Sequence, residues 1–318
     1  MKKWIIATLI LCVAVMLVAC GKEKTPADQP KLTLTLNEGD RVSIPAGQDF
    51  KDPGCTATDK NGTDLSKRVL RSGWEKIDKY QPGEYVITYK VTDDFGNTLT
   101  AERTVVVERL VQGDEITDKI VYLTFDDGPS KNTGRVLDVL KACNVKATYF
   151  AIGTNYLDAL KRIAEEGHTV GIHTYSHKAE IVYETEKGFF ADMDKLQAYV
   201  EQYTGSRAIY MRFPFGSTNN RAPSGMMAKL RTSVAKKGYT YFDWDVSASD
   251  SGGESKTADD VFYRVTEGIE NCKKDKMVVL MHDPVDFSMD ALERIIQWGL
   301  ANGYTFLPID ENAPKCQF

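Results

Sequence analysis

Two kinds of periodicity divide this chain. Leu32-Thr33-Leu34-Thr35-Leu36 alternates apolar and polar at period two, the mark of a half-buried strand. Residues 85–91 and 104–107 are β-branched and aromatic runs of the same kind. Between them fall turn signals: Asp52-Pro53-Gly54, Asn61-Gly62, Gln81-Pro82-Gly83 and Phe95-Gly96-Asn97. Short strands at this spacing predict a small all-β sandwich over residues 32–108. Residues 109–118 read as a charged connector. From Lys119 the pattern becomes strand–helix alternation, with strand-like runs at 121–125, 147–152, 169–173, 208–213, 239–244, 277–281 and 304–307. Helical periodicity fills the gaps: Phe189, Met193, Leu196, Val200 and Tyr203 recur at three- and four-residue steps, as do Leu292, Ile295, Ile296 and Leu300. Seven strand–helix repeats predict a parallel, barrel-like α/β domain over residues 119–311. Such barrels carry their chemistry on loops at the C-terminal ends of the strands, and most polar clusters of this chain fall there.

Composition changes this picture at the N-terminus. Lys2 and Lys3 precede an apolar run over residues 4–18, short for a membrane span and right for a signal sequence. Leu17-Val18-Ala19-Cys20-Gly21 resembles a bacterial lipobox. That resemblance implies a signal peptide over residues 1–20, an acylated Cys20 and an extracytoplasmic chain anchored to the bacterial membrane by lipid. An ordinary signal peptide or an uncleaved anchor would export the rest of the chain too. Residues 21–31, polar with two prolines, read as a tether. The net charge of -5, without a basic stripe, excludes nucleic acid as a partner. Beyond Cys12 and Cys20, the cysteines are Cys55, Cys143, Cys272 and Cys316. None forms a Cys-x-x-Cys pair, which argues against a cysteine-type zinc site. A Cys272–Cys316 disulfide is one expectation, and buried free thiols are the other.

The candidate chemistry begins where an apolar run, Ile120-Val121-Tyr122-Leu123-Thr124-Phe125, stops in Asp126-Asp127-Gly128-Pro129. Adjacent carboxylates are costly unless a cation absorbs one charge. His173 and His177, in Gly171-Ile172-His173-Thr174-Tyr175-Ser176-His177, are plausible partners, and one helical turn there would put both imidazoles on one face. Asp127, His173 and His177 make a three-ligand set that leaves a position open for water. Carboxylate and imidazole suit one divalent ion: Zn2+ first, with Co2+, Ni2+ or Fe2+ compatible. Asp126 is left as a candidate base, the alternative being a second ligand or an N-cap acid. This is the outline of a metal-assisted hydrolase. His168 reads as a helix C-cap or packing residue. Arg212, in Met211-Arg212-Phe213-Pro214-Phe215-Gly216, would hold a carboxylate charged and oriented. The Phe215 N–H, in the turn shaped by Pro214 and Gly216, would face a developing oxyanion. His282, after the apolar run 278–281, is a candidate general acid. Asp250 is the first choice to orient it, with Asp243, Asp245 and Asp283 competing.

Together these clusters resemble the NodB-type polysaccharide deacetylases, carbohydrate esterase family 4, over Lys119 to Asp310. Thr124-Phe125-Asp126-Asp127-Gly128-Pro129 matches the family's most specific motif, and His173-Thr174-Tyr175-Ser176-His177 its metal-binding histidines. Arg212-Phe213-Pro214-Phe215-Gly216 matches the third motif, with Phe where many members have Tyr. Leu280-Met281-His282 matches the fifth and sets Leu280 at the substrate pocket. The fourth is degraded: members often carry Asp-Trp where this chain has Asp250-Ser251, so Trp244 substitutes as the pocket wall or the pocket is more open. The resemblance implies a distorted (β/α)7 barrel and removal of N-acetyl groups from a β-linked amino-sugar polymer. For an exported monomer the nearest such cell-wall polysaccharide is peptidoglycan, with its GlcNAc as first substrate.

Residues 32–108 resemble a bacterial Ig-like module. The resemblance rests on Phe50-Lys51-Asp52-Pro53-Gly54 with Ala57-Thr58-Asp59, on the run from Pro82 to Asp93, and on Gly96-Asn97. It implies spacing or wall contact, and leaves Asp59, Asp93 and Asp94 as calcium ligands or solvated turn acids. Two rival functions stay open: an exported amidase on a small amide or imide, which a deep closed pocket would favour, and a non-catalytic wall-binding lipoprotein.

Overall fold

The alternating runs of the N-terminal segment fold into two sheets facing each other across a small core. In this computed structural model, which describes residues 31–318, β1 (Thr33–Leu36) pairs antiparallel with β3 (Cys55–Thr58). The second sheet has the order β2 (Arg41–Pro45), β6 (Thr98–Glu108), β5 (Gly83–Thr92), β4 (Leu70–Ser72). Period two turns Ile87, Tyr89, Val105 and Val107 into the core with Ile44. Asp59 and Asp93 are neither solvated nor free: both are buried, and each Oδ1 accepts two backbone N–H groups of its own turn. The signal peptide, Cys20 and nearly all of the proposed tether lie outside the described residues. No helix among the described residues is long and apolar enough to cross a membrane.

The connector is not a free strap. Leu110 N–H donates to Gln297 Oε1 at 2.6 Å, and Gln112 exchanges side-chain hydrogen bonds with the Phe306 backbone at 2.7 and 3.1 Å. It runs along the second unit as part of its wall.

That unit is built on β7 (Ile120–Gly128), buried on both faces as a parallel strand should be. Its neighbour on one side is β13 (Lys276–His282). On the other side β14 (Thr305–Leu307) pairs with its first residues and β8 (Thr148–Ala151) with its last. The sheet continues through β9 (Thr169–Ile172) and β10 (Tyr210–Met211) to β11 (Thr240–Tyr241), and ends at β12 (Val246–Ser247) beyond β13. The pairs among these strands are parallel, and the sheet curls into a distorted (β/α)7 barrel. β11 and β12 do not pair with each other. The chain's last residues stand at this gap, with Asp243 N–H donating to Cys316 O at 2.7 Å and Gln317 Nε2 to Tyr241 O at 3.0 Å.

Alternation along β7 sorts the core into two layers. Val121, Leu123 and Phe125 face outward under the helices α1 (Thr133–Ala142), α2 (Ala159–Glu165), α3 (Ala179–Val182), α4 (Glu186–Thr204), α5 (Met226–Lys236), α6 (Ala258–Asn271) and α7 (Asp286–Ala301). Ile120 and Tyr122 face the interior with Phe150, Phe242, Val278 and Ile309. The predicted helical stripes are the buried faces of α4 and α7. The predicted runs at 208–213 and 239–244 shrink to the two-residue strands β10 and β11, and at the gap the Asp243 N–H goes to Cys316 O and not to a neighbouring strand. The eighth strand, β12, has no apolar run to announce it. The expected Cys272–Cys316 disulfide is absent: Cys316 belongs to the inner layer, Cys272 packs against the outer one, and both are free thiols.

Candidate active site

The inward face of β7 continues past Tyr122 to Thr124 and Asp126, so the first acid of the pair points into the top of the barrel. Register then brings His282 beside it, since His282 and Asp126 are Cα partners across β13 and β7. Between Asp126 and Gly128 the β7–β8 register shifts, and Asp127 takes a left-handed φ of 65°. The bulge turns the second carboxylate to a different direction from the first.

Asp126 is buried and held by Arg212, whose Nη1 donates to Asp126 Oδ1 at 2.8 Å and to Thr124 Oγ1 at 2.8 Å. Arg212 is fully buried yet satisfied: Nε donates to Phe242 O at 3.0 Å and Nη2 to Asp243 O at 2.8 Å, and its guanidinium lies 4.3 Å from the Phe150 ring centroid. A buried ion pair with this many hydrogen bonds fixes both partners in orientation.

His173 and His177 do not share a helix, as the spacing alone suggested. Thr174 and His177 adopt left-handed φ values of 67° and 53°, which fold the segment into a tight loop and set the two rings 4.8 Å apart. Asp192 of α4 grips this loop, its Oδ2 accepting Tyr175 N–H at 2.5 Å and Ser176 N–H at 2.9 Å. His173 Nδ1 lies 2.8 Å from Arg212 O, so Nδ1 carries the proton and Nε2 presents its lone pair. That Nε2 is 3.8 Å from Asp127 Oδ1, and His177 Nε2 is 3.5 Å from the same oxygen. The three ligand atoms lie within 4.8 Å of one another. Burial, with His173 alongside, pushes His177 down to about 4, so its imidazole is neutral at neutral pH. Asp127 Oδ1 is buried and receives no hydrogen bond. An orphan carboxylate oxygen facing two imidazole lone pairs fits a divalent cation.

Asp250 stands against His282, its Oδ1 2.7 Å from Nδ1 and its Oδ2 accepting the His282 N–H at 3.0 Å. Ser288 Oγ also donates to Asp250 Oδ2. Burial disfavours the imidazolium, but the hydrogen bond and charge of Asp250 outweigh it, with Asp126 and Asp127 adding, so His282 titrates above its ordinary range. Burial would likewise lift Asp250, and the His282 ring holds it below the usual carboxylate range. The competing acids are engaged elsewhere: Asp243 with Ser217, Asp245 with Lys274, and Asp283 with Thr133. His168 is not the helix C-cap, which falls at Glu166; it packs edge-on against Tyr149, its Nδ1 accepting Ala147 N–H at 3.1 Å.

These groups open into one cleft of about 460 Å³, whose walls include Trp244, Phe215 and Leu280. Trp244 rests over Gly216, where an added Cβ would come within 3.2 Å of its ring. Phe215 takes a φ of 65°, and its ring lies 5.0 Å from that of His177. Sequence reasoning missed Asp192, Thr124 and Ser288. Their helical or strand positions look ordinary, and only the fold shows what they touch.

Family models match at residues 113–242, described as polysaccharide deacetylase, and at residues 34–107, described as a bacterial surface protein Ig-like domain. A peptidoglycan-N-acetylglucosamine deacetylase of Bacillus cereus is 32% identical over 192 residues, covering 59% of this chain and 68% of that protein. Among solved structures, the catalytic domain of a peptidoglycan N-acetylglucosamine deacetylase from Eubacterium rectale aligns with a TM-score of 0.61 and 39% identity, covering 66% of this chain and 96% of that one. A polysaccharide deacetylase from Bacillus cereus aligns with a TM-score of 0.56 and 31% identity, covering 63% and 97%. With the paired acid, the histidine loop and the barrel in place, the chain belongs to the polysaccharide deacetylases of carbohydrate esterase family 4, hydrolases of carbon–nitrogen bonds, and carries a bacterial Ig-like domain ahead of that fold.

Proposed function

We propose that the chain is a metal-dependent N-deacetylase of a cell-surface amino-sugar polymer, with peptidoglycan GlcNAc as its first substrate. The observation that carries this reading is the meeting of four groups in one cleft: Asp126 clamped by Arg212, the Asp127–His173–His177 cluster, His282 beside Asp126, and Asp250 behind it. Asp127, His173 and His177 would hold one divalent ion, Zn2+ first. When bound, the ion supplies Lewis acidity to the acetamide carbonyl and acidifies the attacking water.

The chain's own residues do the rest. Asp126, kept in place by Arg212, takes a proton from the attacking water. The water oxygen bonds to the acetamide carbon. The Phe215 N–H, which has no protein acceptor among the described residues, donates to the oxyanion. His282 gives its proton to the departing nitrogen, the C–N bond breaks, and acetate and a free amino sugar leave. Asp250 orients the His282 ring and favours its protonated form.

The rim supports a polymer over a small amide. Phe215, Ser251 and Gly252 are exposed along the cleft, so its walls end in open surface. Ser251 stands where relatives of this type often carry Trp, and Trp244 supplies an indole to the wall from another direction. The names of the aligned relatives point to the same polymer. The division we favour places an Ig-like domain over residues 32–108 and the catalytic domain over 119–311. Cys20, acylated, would anchor both outside the bacterial cell membrane, and mass spectrometry of the mature N-terminus tests that. The functional test is acetate release from purified peptidoglycan, chitin oligomers and a small cyclic imide. We expect acetate and new free amines from the glycans. Imide turnover with no acetate from either glycan would overturn the reading.

A further inference from the structure

The mechanism leaves one charged group of the cleft unused. Arg221 is exposed, and it is the one lysine or arginine among the residues lining the cleft. Its guanidinium lies 4.2 Å from the centroid of the Phe215 ring, and that ring is in turn 5.0 Å from the His177 ring. One aromatic side chain therefore separates this cation from the ligand cluster. Among the described residues Arg221 forms no ion pair with a carboxylate, whereas Arg212 is committed to Asp126.

The backbone beneath Arg221 is built rather than loose. Asn219 Nδ2 donates to Gly216 O at 2.7 Å, and Asn219 Oδ1 accepts the Arg221 N–H at 3.0 Å. Arg231 Nη1 donates to Ser217 O at 2.7 Å on the same turn. The turn that sets the Phe215 N–H thus also sets the root of Arg221. Stacking on Phe215 leaves the edge of the guanidinium, with its paired N–H donors, for a planar anion.

We infer that Arg221 is a binding site for a carboxylate on the substrate strand, on a sugar next to the one being deacetylated. The inference rests on the deacetylase reading and deepens it: the preferred polymer is an N-acetylated glycan bearing carboxylates, not a neutral one. Two sources share that chemistry, a lactyl ether acid on the neighbouring sugar and an acidic peptide attached through it.

The test compares acetate release by the full chain from three glycans: neutral chitin oligomers, glycan strands with peptides intact, and strands stripped of peptide so that the lactyl acid is free. The readout is the ratio of kcat/KM on each carboxylated glycan to that on the neutral one. Arg221→Gln should lower this ratio about 10-fold, the size of one charge-assisted hydrogen bond. Arg221→Lys should recover part of it, keeping charge but losing the fork. Added salt should shrink the wild-type ratio. A fall confined to the stripped strands assigns the lactyl acid, and one confined to intact strands assigns the peptide. An unchanged ratio in Arg221→Gln overturns the inference, whether both rates fall together or neither does. Wild-type protein that releases acetate from none of the three removes the deacetylase reading, and this inference with it.

Discussion

Asp126 and His282 are register partners on adjacent parallel strands, β7 and β13, so the proposed base and the proposed acid stand side by side at the mouth of the barrel. Each has its own holder. Arg212 grips Asp126 and Asp250 grips His282, so a shared location does not give them a shared state.

The two adjacent acids should separate on mutation. Asp126→Asn removes the base but none of the three clustered ligand atoms. It should retain divalent metal and lose turnover by about 100- to 10,000-fold. Asp127→Asn should instead weaken metal binding. Elemental analysis and acetate release on both variants check this. Near-normal turnover in Asp126→Asn would remove it from the base role.

A raised pKa at His282 means that its proton is held to higher pH than an ordinary histidine's and is lost as pH climbs further. Activity should therefore fall on the alkaline side. Asp250→Asn removes the charge that faces the ring and weakens its hydrogen bond, leaving only the more distant Asp126 and Asp127 to oppose burial. The alkaline limb of kcat/KM should then move to lower pH, with kcat down about 100-fold. The Asp250–His282 pair's contribution to stability is full between the ordinary carboxylate and ordinary imidazole values, and is lost as pH falls through the depressed pKa of Asp250 or rises through the raised pKa of His282. An alkaline limb that stays in place in Asp250→Asn would assign it to another group.

Asp192 touches no reacting atom, yet it holds the backbone of the histidine loop between its two candidate ligands. Asp192→Asn keeps the shape of the side chain but weakens its grip on two N–H groups. Metal affinity, measured by competition with a chelator, should fall about 10- to 100-fold. Unchanged affinity would mean that the left-handed turns at Thr174 and His177 hold the loop without help.

The barrel was legible because both of its layers leave marks in sequence: helices at steps of three and four, and strands as short apolar runs. The candidate site was legible because paired acids and spaced imidazoles are rare at strand ends. What escaped were features set by geometry alone. The histidines meet through left-handed residues, not through a helical turn, and no spacing rule distinguishes the two. The strands before Arg212 and Asp243 are shorter than their apolar runs, since pairing beside the barrel's gap, where the Asp243 N–H goes to Cys316 O, is set by the fold and not by the local pattern. Residues 109–118 look like a linker by charge, yet Leu110 and Gln112 are bonded into the barrel wall.

On the proposed mechanism, deacetylation needs one divalent ion at Asp127, His173 and His177. The direct measurement is acetate release from a chitin oligomer by chelator-stripped protein as Zn2+ is titrated back. We expect negligible release from the stripped protein and recovery that saturates at about one ion per chain, with no recovery in His173→Ala. Stripped protein that works at the full rate, or His173→Ala that binds Zn2+ and works like wild type, would contradict it.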